Sequence, residues 1–397
     1  MIQSIASILF IVLLISILLL SFIDKRKKRT IRKIPNVSFI VPCYNDGDSV
    51  EDTIKSIYEV AGKNTDIIVI NDKSTDNSRG VLDRLYKKHN FTIFHNDKNL
   101  GKSASLNKYS TKAKYDIIFF VDADVIVNKK SFFDVLARLK SKKVGGVSAP
   151  YVPKNKGFIP LMQNIEYNMM SLVQGSYNVF SAIALWGGFI GVKKEAFFKA
   201  GKFSLNAITE DMDLAFKLNE HGYKVEQSFF PIKTYVPDKF KMWFKQKIRW
   251  SSGGFQCFIK HLKVWIKNPI HVLFLFSYSI FMISAVFVLI KNIFFFNNVI
   301  TYFIFVNETV SLLTSLKLTG ILYSAYIIKD ILWMLAFTSF SLPYVIPLIT
   351  KIKKIYLALL VVPFSIIYIP IFSTVSLFGA IYFLYNRKKY RNNVRAW

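Results

Sequence analysis

The sequence predicts an α/β domain built on a mostly parallel sheet and joined to α-helical transmembrane segments. Three observations predict it. The 397 residues are 52% hydrophobic, yet they carry 53 Lys+Arg against 25 Asp+Glu, a formal net charge of +28. Long runs without a charged residue lie towards both ends of the chain. Between them, short apolar runs alternate with polar, helix-like segments. Uncharged runs with basic flanks combine hydrophobicity and positive charge in membrane proteins, whereas soluble globular proteins rarely do so. A nucleic-acid binder can be equally basic, but its lysines do not sit beside such runs, so no nucleic-acid partner is expected.

Taken in order, residues 1–23 contain no charged side chain, which is enough to cross a hydrocarbon core about 30 Å thick. They lack a basic leading region and a small-residue cleavage site, and therefore read as a retained transmembrane anchor. Residues 24–35 form a basic linker with Lys25, Arg26, Lys27, Lys28, Arg29, Arg32 and Lys33. The positive-inside rule puts that linker in the cytoplasm. Residues 36–237 are the α/β domain, with strands expected at Val37–Val41, Asp66–Ile70, Phe91–Phe94 and Ile117–Val121. Residues 238–269 read as interfacial helices, and residues 270–397 return to the membrane. Ile270–Ile290, Ile331–Thr350 and Ile355–Asn386 carry no Asp, Glu, Lys or Arg. Tyr302–Leu318 holds Glu308 and Lys317 and reads as interfacial or re-entrant. The basic groups flanking Ile355–Asn386 both look cytoplasmic, so this run, interrupted by Pro363 and Pro370, leaves a hairpin and a single helix open. The whole reads as a multi-pass cell-membrane protein with its α/β domain in the cytoplasm.

Cys43 and Cys257, the two cysteines, suggest neither a disulfide framework nor a zinc site, and the five histidines lack metal-ligand spacing.

Six motifs carry chemistry. The first strand runs through Pro42 into Tyr44-Asn45-Asp46, and the second runs into Asn71-Asp72-Lys73-Ser74-Thr75-Asp76. Ligands of open α/β sheets bind at such carboxyl ends, and an aromatic face with carboxylates suits a nucleoside. The plainer reading of Asp72 and Asp76 is helix capping. Gly101-Lys102 offers close backbone approach and a point charge for a diphosphate. Asp122-Ala123-Asp124 follows a buried strand. Alternate residues of an extended segment face one side, and two hard oxygen ligands completed by phosphate and water suit Mg²⁺ or Mn²⁺. Thr209-Glu210-Asp211 opens a helical run and serves either as its cap or as a general base. Gln246-Lys-Ile-Arg249-Trp250 puts an amide, a guanidinium and an indole on one helix face. That face suits a sugar diphosphate as well as a membrane surface.

In this order the motifs resemble the processive branch of family 2 glycosyltransferases, similar to cellulose, hyaluronan, chitin and poly-N-acetylglucosamine synthases, over residues 36 to 260. The resemblance implies a GT-A (Rossmann-like) catalytic domain. It implies donor contacts from Pro42, Tyr44, Asp46, Asp72, Lys102, Asp122, Gln246 and Arg249. Asp124 and Asp122 become the metal ligands and Asp211 the base, with Glu210 beside it. Trp250 and Trp186 fall to the acceptor. The implied reaction is metal-dependent, inverting hexosyl transfer from a UDP-sugar, with N-acetylglucosamine the expected sugar, to a growing β-linked polysaccharide coupled to export. The alternative is a single addition to a lipid, as in ceramide glucosyltransferases. The chain departs from the pattern at Asp46, where many relatives carry Glu, and at Trp186, which leaves the acceptor, carbohydrate or lipid, open. An accessory subunit is compatible with either reading. A catalytically silent scaffold is disfavoured by the intact set of Asp72, Asp122, Asp124 and Asp211.

Overall fold

A computed structural model describes residues 35–61, 65–182, 184–267 and 363–392, together with the isolated positions 31, 272, 286, 290 and 360. The expected anchor at residues 1–23, almost all of the basic linker, the runs Ile270–Ile290 and Ile331–Thr350 and the segment Tyr302–Leu318 lie essentially outside the described residues. Two compact units are distinguished, Met1–Val272 with Gly379–Trp397, and Leu273–Phe378.

The first unit is organised by a seven-stranded sheet in the order β3-β2-β1-β4-β8-β6-β9. Its first half is β1 (Val37–Cys43), β2 (Thr65–Asn71), β3 (Thr92–His95) and β4 (Ile117–Val121). These strands run parallel, with β1 between β2 and β4. The crossovers are helices α1 (Val50–Ala61), α2 (Ser78–Tyr86) and α3 (Lys102–Ser110). β1 is buried along nearly its whole length, which explains its near-continuous apolar run, since a parallel strand has helices over both faces. The second half mixes directions: β8 (Phe189–Lys193) runs antiparallel to both β4 and β6 (Val144–Ser148), while β9 (Lys224–Gln227) runs parallel to β6.

One core layer contains Phe39, Phe119, Phe132 and Phe189, with rings stacked or tilted at centroid separations of 5.0–5.8 Å. The opposite layer contains Ile40, Ile118, Phe120 and Phe197. Adjacent residues of one strand therefore supply opposite layers, as the two-residue repeat of a strand requires.

A three-stranded sheet, β5-β10-β7, lies beside the strand tips and consists of β5 (Val125–Ile126), β10 (Ile232–Thr234) and β7 (Tyr151–Pro153). Helices α4 (Lys129–Leu139), α5 (Phe158–Ser176), α6 (Lys194–Lys199), α7 (Glu210–Glu220), α8 (Phe240–Lys260) and α9 (Leu262–Lys267) complete the order up to residue 267.

The last helix, α10, spans Ile369–Asn392 and follows a π-helical turn at Phe364–Tyr368. From Phe364 to Asn392 the chain is helical throughout, while most of residues 355–362 of the run Ile355–Asn386 lies outside the described residues. Pro370 lies directly after the π-helical turn in a continuous helical stretch, where its missing N–H leaves the preceding turn one donor short. Among the described residues, Ile369–Arg387 is the one helix long and apolar enough to cross a membrane. Within the first unit, Ser252 Oγ of α8 donates to the Gly379 carbonyl of α10 at 2.8 Å.

Candidate active site

The turns after β1 and β2 are stapled together. Asn45, at φ +58°, donates its N–H to Ser74 Oγ (3.1 Å) and accepts the Thr75 N–H on its side chain (2.8 Å). The left-handed backbone suits Asn better than most side chains. Tyr44 is left 47% exposed at the rim, with Pro42 partly buried just before it in β1. The Tyr44 N–H is donated to Asp46 (3.2 Å), whose carboxyl is raised by burial and then by Asp122 and Asp76.

Asp72 is buried and anchors the next loop. Its carboxylate accepts from Asn96 Nδ2, the Leu100 and Gly101 N–H groups and Ser105 Oγ at 2.8–3.0 Å. Gly101 has φ +84° and starts α3, a conformation that L side chains avoid. Capture of the two amides by Asp72 therefore sets the direction in which Lys102 leaves the loop. Asp72 was expected among the donor contacts; its direct partners in the structure are those of this loop and of Ser105 in α3.

Lys102 reaches across the strand tips. Its Nζ is 2.7 Å from Asp122 Oδ1 and 3.0 Å from Glu210 Oε1. Burial opposes its charge, but Asp122 and Glu210 hold the ammonium well above the usual lysine range. The Asp122 backbone N–H is fixed by the Gly188 carbonyl (3.0 Å). Asp124 accepts from Thr234 Oγ1 of β10 (3.1 Å) and is pushed up to about 6 by burial, then by Asp122 and Asp46.

Thr209 precedes α7, so Glu210 and Asp211 occupy its first turn, where the helix dipole favours anions. The two acids are driven apart. Burial works against ionisation of Glu210, but Lys102 and then Arg249 hold it below its usual range. Asp211 is pushed up to about 7 by burial and then by the Glu210 charge. Gly187 packs against it: a Cβ there would sit 2.7 Å from Asp211 Oδ2. Divergent pKa values in a neighbouring acid pair are a mark of acid–base sites.

Helix α8 closes the cluster. Arg249 acts electrostatically on Asp122, Glu210 and Asp211. Gln246 Oε1 is buried without a hydrogen-bond partner. Trp250 packs its ring 6.1 Å from that of Tyr167.

Trp186 corrects one sequence expectation. It is 5% exposed, donates its indole N–H to Gln227 Oε1 (2.6 Å) and meets Tyr151 and Tyr167 edge-on. A ring enclosed in this way has no face for a sugar. It forms the floor that carries Gly187 and Gly188.

Residues not singled out from the sequence also build the site. Tyr151 accepts the Gly188 N–H on its hydroxyl (2.6 Å); burial, then Asp122 and Asp211, hold that phenol far above its usual range. Lys247 and Glu166 form an ion pair at 2.7 Å with both side chains 0% exposed. The Lys247 ammonium also lies 4.3 Å from the Trp250 ring centre and 5.1 Å from that of Tyr167. Lys247 lies inside the motif Gln246–Trp250, one helical turn before Trp250, which was the available signal. Nothing local marked Glu166.

Residues 38–199 match the family model described as Glycosyl transferase family 2. The chain is 26% identical over 261 residues to poly-β-1,6-N-acetyl-D-glucosamine synthase of Staphylococcus aureus, a match that covers 63% of each chain. It is 27% identical over 242 residues to the synthase of Staphylococcus epidermidis, covering 60% of this chain and 59% of that one. The chain thus spans somewhat less than two thirds of these relatives. In fold it resembles a mannosyltransferase from Pyrobaculum calidifontis solved with GDP-Man and Mn²⁺, with TM-score 0.52, 20% identity and coverage of 70% and 81%. The chain therefore carries a glycosyltransferase family 2 domain of GT-A-like fold and is homologous to bacterial poly-β-1,6-N-acetyl-D-glucosamine synthases.

Proposed function

We propose that this protein is a multi-pass membrane glycosyltransferase whose cytoplasmic domain, residues 36–237, takes a sugar from a UDP-sugar and adds it to a growing β-linked polysaccharide. N-acetylglucosamine is the favoured sugar, because the curated relatives are named for its polymer. The observation that carries the reading is the convergence of Lys102, Asp122, Glu210, Asp211 and Arg249, from four separate segments, on one acidic cluster.

In this reading the acceptor hydroxyl attacks the anomeric carbon and UDP leaves from the opposite face, inverting the centre. Asp211 accepts the hydroxyl proton, and its raised affinity for protons suits that task near neutral pH. Lys102 and Arg249 counter the charge on the departing diphosphate. Gln246 has a free acceptor turned inward for a donor or acceptor hydroxyl, and Trp250 offers the acceptor sugar an aromatic face.

The acids fit a divalent cation, Mg²⁺ or Mn²⁺, held by Asp124 and Asp122. Among the described residues no three His, Cys, Asp or Glu side chains form a ready cage. Two hard oxygen ligands that leave the remaining positions to diphosphate and water are the arrangement such ions accept. When bound, the cation supplies charge stabilisation at the leaving diphosphate.

The test is transfer from radiolabelled UDP-N-acetylglucosamine and UDP-glucose by the full chain in nanodiscs, with Asp211→Asn as control. A water-soluble ladder that disappears in the variant supports a processive synthase. Label confined to one lipid-extractable species would reassign the protein to glycolipid formation. No transfer or donor hydrolysis with either sugar and either cation would leave a catalytically silent scaffold.

A further inference from the structure

The position of the Lys102 ammonium bears on how the cluster is loaded. Five carboxylates, Asp46, Asp122, Asp124, Glu210 and Asp211, share an electrostatic neighbourhood with two cations, Lys102 and Arg249. Lys102 makes the direct contacts, bridging Asp122 and Glu210 at 2.7 and 3.0 Å. It thus neutralises one of the two carboxylates that would hold the divalent cation. Like charges in a partly buried site repel strongly, so this ammonium and a cation on Asp122 oppose each other.

The lysine is also built to move. Its backbone is fixed at the first turn of α3 by the Asp72-anchored loop, but its side chain is 35% exposed on a flexible four-carbon stem. A diphosphate entering beside Gly101 offers it a second, more highly charged partner.

We propose that Lys102 is an internal counter-ion that competes with the divalent cation for Asp122 and yields that carboxylate when the donor diphosphate arrives. The inference deepens the metal-dependent reading above and rests on it. Without donor, the lysine keeps the acids together and the cation weakly bound. With donor, the ammonium turns to the phosphates and Asp122 is freed. Cation and nucleotide then favour each other's binding, and the coupling is reciprocal. Lys102 contributes to that coupling beyond the direct contact between cation and phosphate.

The test is Mn²⁺ binding to the full chain in nanodiscs, followed by electron paramagnetic resonance with and without UDP, for wild type, Lys102→Met and Lys102→Arg. The wild type should bind Mn²⁺ weakly alone and more tightly with UDP. Lys102→Met should bind Mn²⁺ alone roughly tenfold more tightly than wild type and gain less from UDP. Lys102→Arg should stay near wild type, because it keeps the charge. Melting gives a second readout: Lys102→Met should melt below wild type without metal and be raised more by Mn²⁺. If Lys102→Met proves too unstable to purify, Lys102→Gln makes the same comparison.

Donor-free affinity unchanged in the neutral variant, with UDP-dependent binding intact in the wild type, would overturn the counter-ion and leave the metal reading standing. No Mn²⁺ binding by the wild type even with UDP would overturn both.

Discussion

The two walls of the candidate site are held by different forces. The strand-tip wall, from Tyr44 to Asp124, is fixed mainly by short hydrogen bonds between turns, such as Asn45 to Ser74 and Thr75 and Asp72 to the Gly101 loop. The helical wall, α5, α7 and α8, is fixed by buried charges from distant segments. Glu166 pairs with Lys247, and Asp213 gathers Ser204, Lys260 and His261. A turn bonded to its neighbour tolerates loss of one bond, whereas a buried charge stripped of its partner is costly. The helical wall should therefore be the fragile one, and it carries the proposed base.

The contrast is concentrated in α7, where acids two residues apart are shifted in opposite directions. Asp211 is raised to about 7 by burial and then Glu210. Burial also opposes ionisation of Asp213, but hydrogen bonds from His261, Lys260 and Ser204 outweigh it and hold the group at about 2. Asp213 thus stabilises the fold fully above the ordinary carboxylate range, and that contribution is lost as pH falls toward about 2. Asp211 does the reverse: its contribution is present below the ordinary range and is lost as pH rises toward about 7. One residue locks the wall and the other holds a strained charge for use.

The largest expected effect is that of Asp211→Asn, which should reduce transfer by about 10²–10⁴-fold or more while the melting temperature stays level or rises. A comparable fall in both rate and stability would make Asp211 part of the lock rather than the chemistry. Next, Lys247→Ala or Glu166→Ala alone should destabilise the domain by about 3–5 kcal/mol, whereas Lys247→Met with Glu166→Leu should be near neutral. Chemical denaturation of all three decides it, and equal losses in single and double variants would refute the buried-pair account.

A smaller and reversible effect is expected from pH. Because Asp211 titrates at about 7 and must be ionised to accept a proton, kcat/KM should rise about tenfold per pH unit on the acid side and level off above that value. A profile flat across that range would remove Asp211 as the base. The smallest effect is expected at Trp186→Phe. It removes one buried hydrogen bond to Gln227 and should cost about 1–3 kcal/mol of stability with the acceptor KM unchanged. A clear rise in that KM would restore Trp186 to the acceptor site.

The sequence by itself determined the strand-tip wall. β1, β2, β3 and β4 lie within a residue or two of the expected strands, because a buried parallel strand imposes a continuous apolar run and a turn at its carboxyl end imposes polar residues. Asp122, Asp124, Glu210, Asp211 and Arg249 were all readable as motifs, since each chemistry needs particular side chains at short spacing. Only the tertiary structure decided which of those side chains meet and in what state. The reach of Lys102 to Asp122 and Glu210, the enclosure of Trp186 by Tyr151, Tyr167 and Gln227, and the pairing of Glu166 with Lys247 join residues 19 to 108 positions apart. No local pattern encodes such distances. The opposite shifts of Asp211 and Asp213 follow from the same cause, because a carboxyl group's affinity for protons is set by how deeply the fold buries it and by which charges the fold brings beside it.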